Sequence, residues 1–276
     1  MPLEQALVLA VVQSLTEFLP ISSTAHLALV PWLLGWRDPG LSFDIALHFG
    51  TLVALIGYFF RDWLRMLRAA FGARSSPDDE LGSNRPLLWL LALATVPAAL
   101  AGYLFQAQAE TAWRSPYLMA GMLIAIAGLM YVADRTGARN RGLATVSLAD
   151  SLWVGCAQAV AIIPGTSRSG ITISAGLLRG LDRPAAARFS FLLSTPALAG
   201  AALKAAWDLK RAGGIPPEMQ LPFAVGVLVS ALTAWAVVAF FLRFLRTHTL
   251  RFFVYYRLFF GIIVIALAIF LRRVAA

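Results

Sequence analysis

Charged residues are scarce: 13% of the 276 positions are Asp, Glu, Lys or Arg, against about 25% in soluble domains. So few could not cover the surface of a soluble chain of this length, and 59% of the residues are hydrophobic. Mean hydropathy is +0.75. A single cysteine excludes a disulfide scaffold; Cys156 lies in the apolar run WVGCAQAV and says nothing of redox compartment. The 21 glycines follow no fixed period, which excludes collagen, and the hydrophobicity excludes disorder. The N-terminus lacks a basic n-region, and Gln13 and Glu17 interrupt its apolar run, so a cleaved signal peptide is not expected. Cys–His zinc spacing is missing as well. What remains is an integral membrane protein.

Six apolar runs reach the roughly 20 residues needed to cross hydrocarbon, at 43–60, 87–109, 115–133, 190–207, 222–242 and 252–271. They show no alternation and are rich in Ala and Leu, so they read as helices; Pro97 and Pro196 are tolerable inside a bundle. Two further apolar regions, 3–34 and 148–180, are broken at FLPISSTAH (18–26) and IIPGTSRSG (162–170). Proline ends one helix and the hydroxyl residues cap the next. Arms of about 15 residues are too short to span, so both regions are expected as re-entrant helical hairpins.

If the hairpins return to their own side, 14 basic residues fall on one face: Arg61, Arg65, Arg68, Arg74, Arg85, Arg135, Arg139, Arg141, Arg179, Arg183, Arg188, Arg243, Arg246 and Arg251. Seven fall on the other: Arg37, Arg114, Lys204, Lys210, Arg211, Arg272 and Arg273. This bias explains the net charge of +9 without nucleic acid and puts the 61–86 loop in the cytoplasm. It also makes the two hairpins enter from opposite sides. PISST (20–24) aligns with PGTSR (164–168), and FDIALHFGTL (43–52) with FSFLLSTPAL (189–198). The expected fold is one all-α integral membrane domain over 1–276. It has six transmembrane helices plus two oppositely oriented re-entrant helical hairpins, in an inverted-topology repeat of about 1–133 and about 148–271.

Candidate chemistry collects at the breaks. Glu17 sits inside an apolar run with Gln13 one turn earlier on the same helix face, and ionisable groups inside membrane segments mark function by default. Ser22, Ser23, Thr24 and His26 follow it, the hydroxyls as helix caps and candidate ligands. His26, one turn after Ser23, is a candidate acid or base; His48 reads as a packing residue and His248 as solvated. Arg168 in the second break needs an anion, and its fork suits phosphate. Around it, Gly165, Ser167, Ser169 and Gly170 allow close backbone approach and offer donors, and the following half-helix aims its N-terminus at the same point. The segment lacks the Gly-Lys-Ser/Thr ending of a Walker loop. A phosphate or diphosphate headgroup satisfies all of these groups. Glu17, with the Gln13 carbonyl, is suited to a divalent cation, magnesium or calcium. A salt bridge from Arg168 to Glu17 is the plainer structural alternative.

QSLTEFLPISSTAHL (13–27) resembles the acidic motif of the undecaprenyl-diphosphate phosphatase family, known also for bacitracin resistance, and PGTSRSGITIS (164–174) resembles its second signature. The resemblance runs over essentially the whole chain. It implies hydrolysis of a polyisoprenyl diphosphate to its monophosphate, recycling the lipid carrier for peptidoglycan synthesis. It also implies a divalent-cation requirement and a site facing the outer side of the bacterial inner membrane. Position by position, it implies Glu17, Ser23, His26 and Arg168 as catalytic, and Glu17 and Gln13 as metal ligands, with Gln13 standing where many members have glutamate. Ser22, Thr24, Gly165, Thr166, Ser167, Ser169 and Gly170 join Arg168 as the expected substrate-binding set. The rival reading is a lipid-phosphate carrier built on the same inverted-repeat anion site. The small-residue face at 197–202 is suited to a homodimer contact.

Overall fold

The computed structural model describes residues 1–36, 41–72, 80–211 and 213–274, and among these the regular structure is helical. In chain order the helices are α1 (Leu3–Phe18), α2 (Ser23–Leu33), α3 (Leu41–Tyr58), α4 (Phe60–Ala70), α5 (Glu80–Ser83), α6 (Leu87–Glu110), α7 (Pro116–Thr136), α8 (Leu148–Val160), α9 (Arg168–Leu178), α10 (Arg183–Arg211), α11 (Pro217–Phe244) and α12 (Arg251–Val274). Five helices, α6, α7, α10, α11 and α12, are long and apolar enough to cross a membrane; α3 meets the same test only when taken together with α4, from which it is bent by 62°. The five fall on five of the apolar runs and α3 on the run 43–60, and the chain is an all-α integral membrane protein. Of the basic residues counted above, Arg37 and Arg74 lie outside the described residues, as do the side chains of Arg272 and Arg273.

Both broken regions are helix, break, helix. In the second, the ends meet: Asp150, in the first turn of α8, pairs with Arg179 just past α9 at 2.7 Å and with Arg141 at 2.6 Å. Ser147 caps α8 in a capping box with Asp150. Nearby, Asp134 at the end of α7 pairs with Arg183 at the start of α10 (2.5 Å). Asp62 of α4 pairs with Arg188 (2.7 Å). The arginine-rich loops therefore share one face of the molecule, at the N-terminal end of α10. The ends of the first broken region, Met1 and Trp36, pack instead on an apolar cluster with Leu209, Ile215 and Met219, at the C-terminal end of α10. The two hairpins thus approach from opposite ends of that helix.

The packing has a two-fold pattern. Helix α1 packs on α11 as α8 packs on α6, α3 on α11 as α10 on α6, while α7 pairs with α12 and α3 with α10. Small residues permit the tightest crossings. A Cβ on Gly50 would sit 2.5 Å from the Val227 carbonyl of α11, and one on Gly155 2.5 Å from the Ala94 carbonyl of α6.

Candidate active site

The two breaks meet at Glu17. It closes α1 and is buried, yet three side chains address its carboxylate. Ser23 Oγ, on the first residue of α2, donates to Oε2 at 2.7 Å. Gln13 Nε2 donates to the same oxygen at 3.2 Å, as expected for residues one turn apart. The Arg168 guanidinium, on the first residue of α9, is ion-paired with Oε1. Carboxylate and hydroxyl thus come from the first half of the chain and the cation from the second. The salt bridge considered from sequence exists, and Ser23 stands inside it. Arg168 also reaches the Ser194 carbonyl at 3.4 Å. Its remaining N–H groups have no hydrogen-bond partner among the described residues and can donate to an anion.

Both half-helices begin in strain. The residues before them, Ser22 (φ 77°) and Ser167 (φ 68°), hold a left-handed conformation that costs a serine about 1–3 kcal/mol and that clusters at functional sites. The equivalence sets Ser23 beside Arg168, a register one residue off the alignment of PISST with PGTSR, because the second break carries one extra residue after its proline. Gly165 (φ 91°) supplies the turn there; a Cβ would collide with the Met119 backbone of α7.

A cavity of about 370 Å³ opens beside the carboxylate, lined by Ser23, Thr24, Asp44, His48, Arg114 and Pro164, among others. It shares Ile45, Ala201 and Ala205 with an apolar cavity of about 740 Å³ between α6 and α10, whose walls include Ala98, Gly102, Ala197 and Gly200. The small-residue face at 197–202 is therefore turned towards these cavities.

Two expectations about histidine change here. His26 does not touch Glu17 or Ser23. It is buried, its Nδ1 donates to the Ser22 carbonyl at 2.7 Å, its Nε2 accepts from Tyr256 Oη at 2.6 Å, and its ring stacks on Phe260 at 4.2 Å. Both nitrogens are occupied, so the ring holds the first break against α12. His48, read from sequence as a packing residue, lines the cavity instead. Its Nδ1 donates to the Asp44 carbonyl (2.7 Å), which leaves Nε2 facing Glu17 Oε2 at 3.8 Å as the nitrogen able to exchange a proton.

The second break is also divided differently from expectation. The Thr166 hydroxyl turns back to the Ile163 carbonyl (2.7 Å). Ser167 Oγ accepts from the Gly170 amide as a helix cap (3.2 Å). Ser169 Oγ donates to the Leu19 carbonyl of the other break (3.2 Å). Gly165, Thr166, Ser167, Ser169 and Gly170 shape the break and lie behind it, while Arg168 projects from it. Ser22 is likewise buried, and its hydroxyl has no partner among the described residues.

One residue that joins the two breaks was given no role from the sequence. Arg257 of α12 is completely buried and donates to five carbonyls. These belong to Pro20 of the first break (3.2 Å), Gly165 and Thr166 of the second (3.0 Å each), and Met122 (3.3 Å) and Leu123 (3.1 Å) of α7. It clips the two breaks together. Its position between Tyr256 and Leu258, inside an apolar run, was the one available signal.

A bacitracin resistance protein BacA family model matches residues 6–263. Proteins named undecaprenyl-diphosphatase are similar over nearly their full length. That of Pelotomaculum thermopropionicum is 46% identical over 96% of both chains. That of Gemmatimonas aurantiaca is 47% identical over 95% of this chain and 96% of its own. That of Desulforudis audaxviator is 44% identical over 96% and 97%. With the matched family model covering the acidic first break, the arginine of the second and the helices that hold them, the chain belongs to the bacitracin resistance protein BacA family.

Proposed function

We propose that this chain is an undecaprenyl-diphosphate phosphatase, hydrolysing the diphosphate to undecaprenyl phosphate and inorganic phosphate. In a bacterial inner membrane this returns the lipid carrier to peptidoglycan synthesis and confers bacitracin resistance. The observation that carries the reading is the contact of Ser23 Oγ with a carboxylate that Arg168 also holds, at the end of a cavity opening onto an apolar groove. Binding a lipid phosphate needs only the arginine and the helix N-termini. A hydroxyl hydrogen-bonded to a base is what hydrolysis adds, so the carrier reading leaves Ser23–Glu17 without a purpose.

The diphosphate occupies the smaller cavity and the prenyl chain runs into the groove between α6 and α10, whose small residues leave room for a long apolar chain. Arg168 and Arg114 flank the phosphates, and the first amides of α2 and α9, which have no acceptor within their helices, point to the same space. Ser23 Oγ attacks the terminal phosphorus and its proton passes to Glu17. The bond from that phosphorus to the bridging oxygen breaks, the charge developing there is stabilised by the guanidinium groups, and undecaprenyl phosphate leaves carrying the proton from Glu17, which is a carboxylate again. Water, deprotonated by Glu17 or His48, then releases phosphate from Ser23. In the one-step variant the same base activates water directly.

The buried Gln13 Oε1 has no partner among the described residues and lies beside Glu17, which fits an oxygen-seeking cation. No group of three His, Cys, Asp or Glu residues gathers among the described residues. A magnesium or calcium ion there would therefore take its other ligands from phosphate oxygens and water. It would supply charge neutralisation of the diphosphate. The two-to-one distribution of basic residues supports a cytoplasmic arginine-rich face and an opening of the cavity towards the outside.

Replacing Ser23 with alanine tests the nucleophile. Phosphate release by purified protein is expected to fall about 10³-fold or more with lipid binding retained. Substantial residual turnover would leave only the direct attack of water.

A further inference from the structure

Helix α4 presents three different faces. Asp62, Met66 and Ala69 fall on one side and hold it to the protein; Met66 and Ala69 are buried and Asp62 pairs with Arg188. Phe60, Leu64, Leu67 and Phe71 recur at the i, i+4, i+7 spacing of a single stripe. Phe60, Leu67 and Phe71 are exposed, Phe71 at 74%, with Trp89 packed edge-on to it at 6.3 Å. Arg61, Arg65 and Arg68 form a third stripe about a quarter-turn round from the apolar one. All three are exposed and none has an ion pair or side-chain hydrogen bond among the described residues, although their neighbours on the same molecular face are paired. The helix follows the apolar helix α3 after a 62° bend, so it turns away from the direction of α3 at its end.

We infer that α4 is an in-plane helix that binds the anionic headgroups of phospholipids at the membrane surface. Its aromatic and leucine stripe lies in the acyl boundary, and its arginines reach up to the phosphates. Charge selects the occupant: the apolar stripe alone would accept any lipid, whereas three exposed guanidinium groups with no ion pair among the described residues favour an anionic surface by about fivefold for each one engaged. Arginine stems can cover apolar surface while their heads stay in the polar layer, which suits stripes set a quarter-turn apart.

The test uses full-length protein in nanodiscs of phosphatidylcholine and phosphatidylglycerol. Cys156, the one cysteine, is replaced by serine, and Leu67→Cys carries an environment-sensitive fluorophore. Bromine is placed on the acyl chains of one lipid or of the other. Quenching is expected from both, with a clear excess from brominated phosphatidylglycerol at equal mole fraction. That excess should vanish in R61Q/R65Q/R68Q and at high salt. Equal quenching by the two lipids in the unmodified helix would overturn the anionic preference. An excess that survives the triple substitution would overturn its assignment to these arginines. Absence of quenching by either lipid would overturn the in-plane placement.

Discussion

Glu17, Ser23 and Arg168 were readable from sequence because each is a polar residue where hydrocarbon should be, and such residues need a partner. His48 was not. Its partner lies 31 positions earlier in the chain, and a histidine one turn after Asp44 in an apolar run reads equally well as packing. His26 shows the converse: it is close to Ser23 in sequence, while the helix start turns its ring towards α12. The two histidines therefore separate in experiment. His48→Gln should lower kcat by about 10²-fold or more with the melting temperature nearly unchanged. His26→Gln should leave two hydrogen-bond partners in the core unpaired and cost about 1–3 kcal/mol of stability, visible in thermal unfolding in detergent. Arg257 was legible only as an oddity, since its five partners are carbonyls, which every residue possesses. Arg257→Met should strand those carbonyls in both breaks and destabilise the protein by about 3 kcal/mol or more. Arg257→Lys should recover part of the stability, and more of the affinity for substrate than of kcat. A methionine variant as stable and active as the parent would remove the clip from the account.

At the scale of elements, the breaks were clear in sequence because proline followed by hydroxyl residues can neither continue a helix nor fail to cap the next. Their register was not clear, since positive backbone angles at Ser22 and Ser167 are set by tertiary contact with α7 and α12. The hairpin closed by Asp150 shows how the arms are held. Burial alone would raise the Asp150 carboxyl, but hydrogen bonds from Arg141, the Ser147 amide and Arg179 outweigh it and hold the group well below the usual carboxylate range. A carboxyl held down in the folded state adds stability above its unfolded value of about 3.9, and that stability is lost as pH falls through the lower folded value. Asp150→Asn should therefore cost about 1–3 kcal/mol at neutral pH, discounted for the half-exposed arginines. The gap between variant and parent should narrow as unfolding is measured at increasingly acid pH. A constant gap would mean that the charge of Asp150 is not what closes the hairpin.

For the molecule as a whole, composition and run length sufficed for an all-helical membrane protein, because hydrocarbon thickness fixes the number of residues in a span. The continuity of cavity and groove was not available from sequence. It depends on α6 and α10 standing apart along a lane of small residues, a spacing that no local pattern encodes. Together, the inward-facing small residues, the two strained breaks and the clip at Arg257 bring a carboxylate, a hydroxyl and a guanidinium from both halves to one point beside an apolar lane. The most direct test is phosphate release from undecaprenyl diphosphate by the detergent-purified protein, with and without chelator, beside Arg168→Ala. The account expects cation-dependent release that drops at least about 10²-fold in the variant. Well-folded protein that binds the lipid diphosphate but releases no phosphate, or an Arg168→Ala variant as active as the parent, would contradict it.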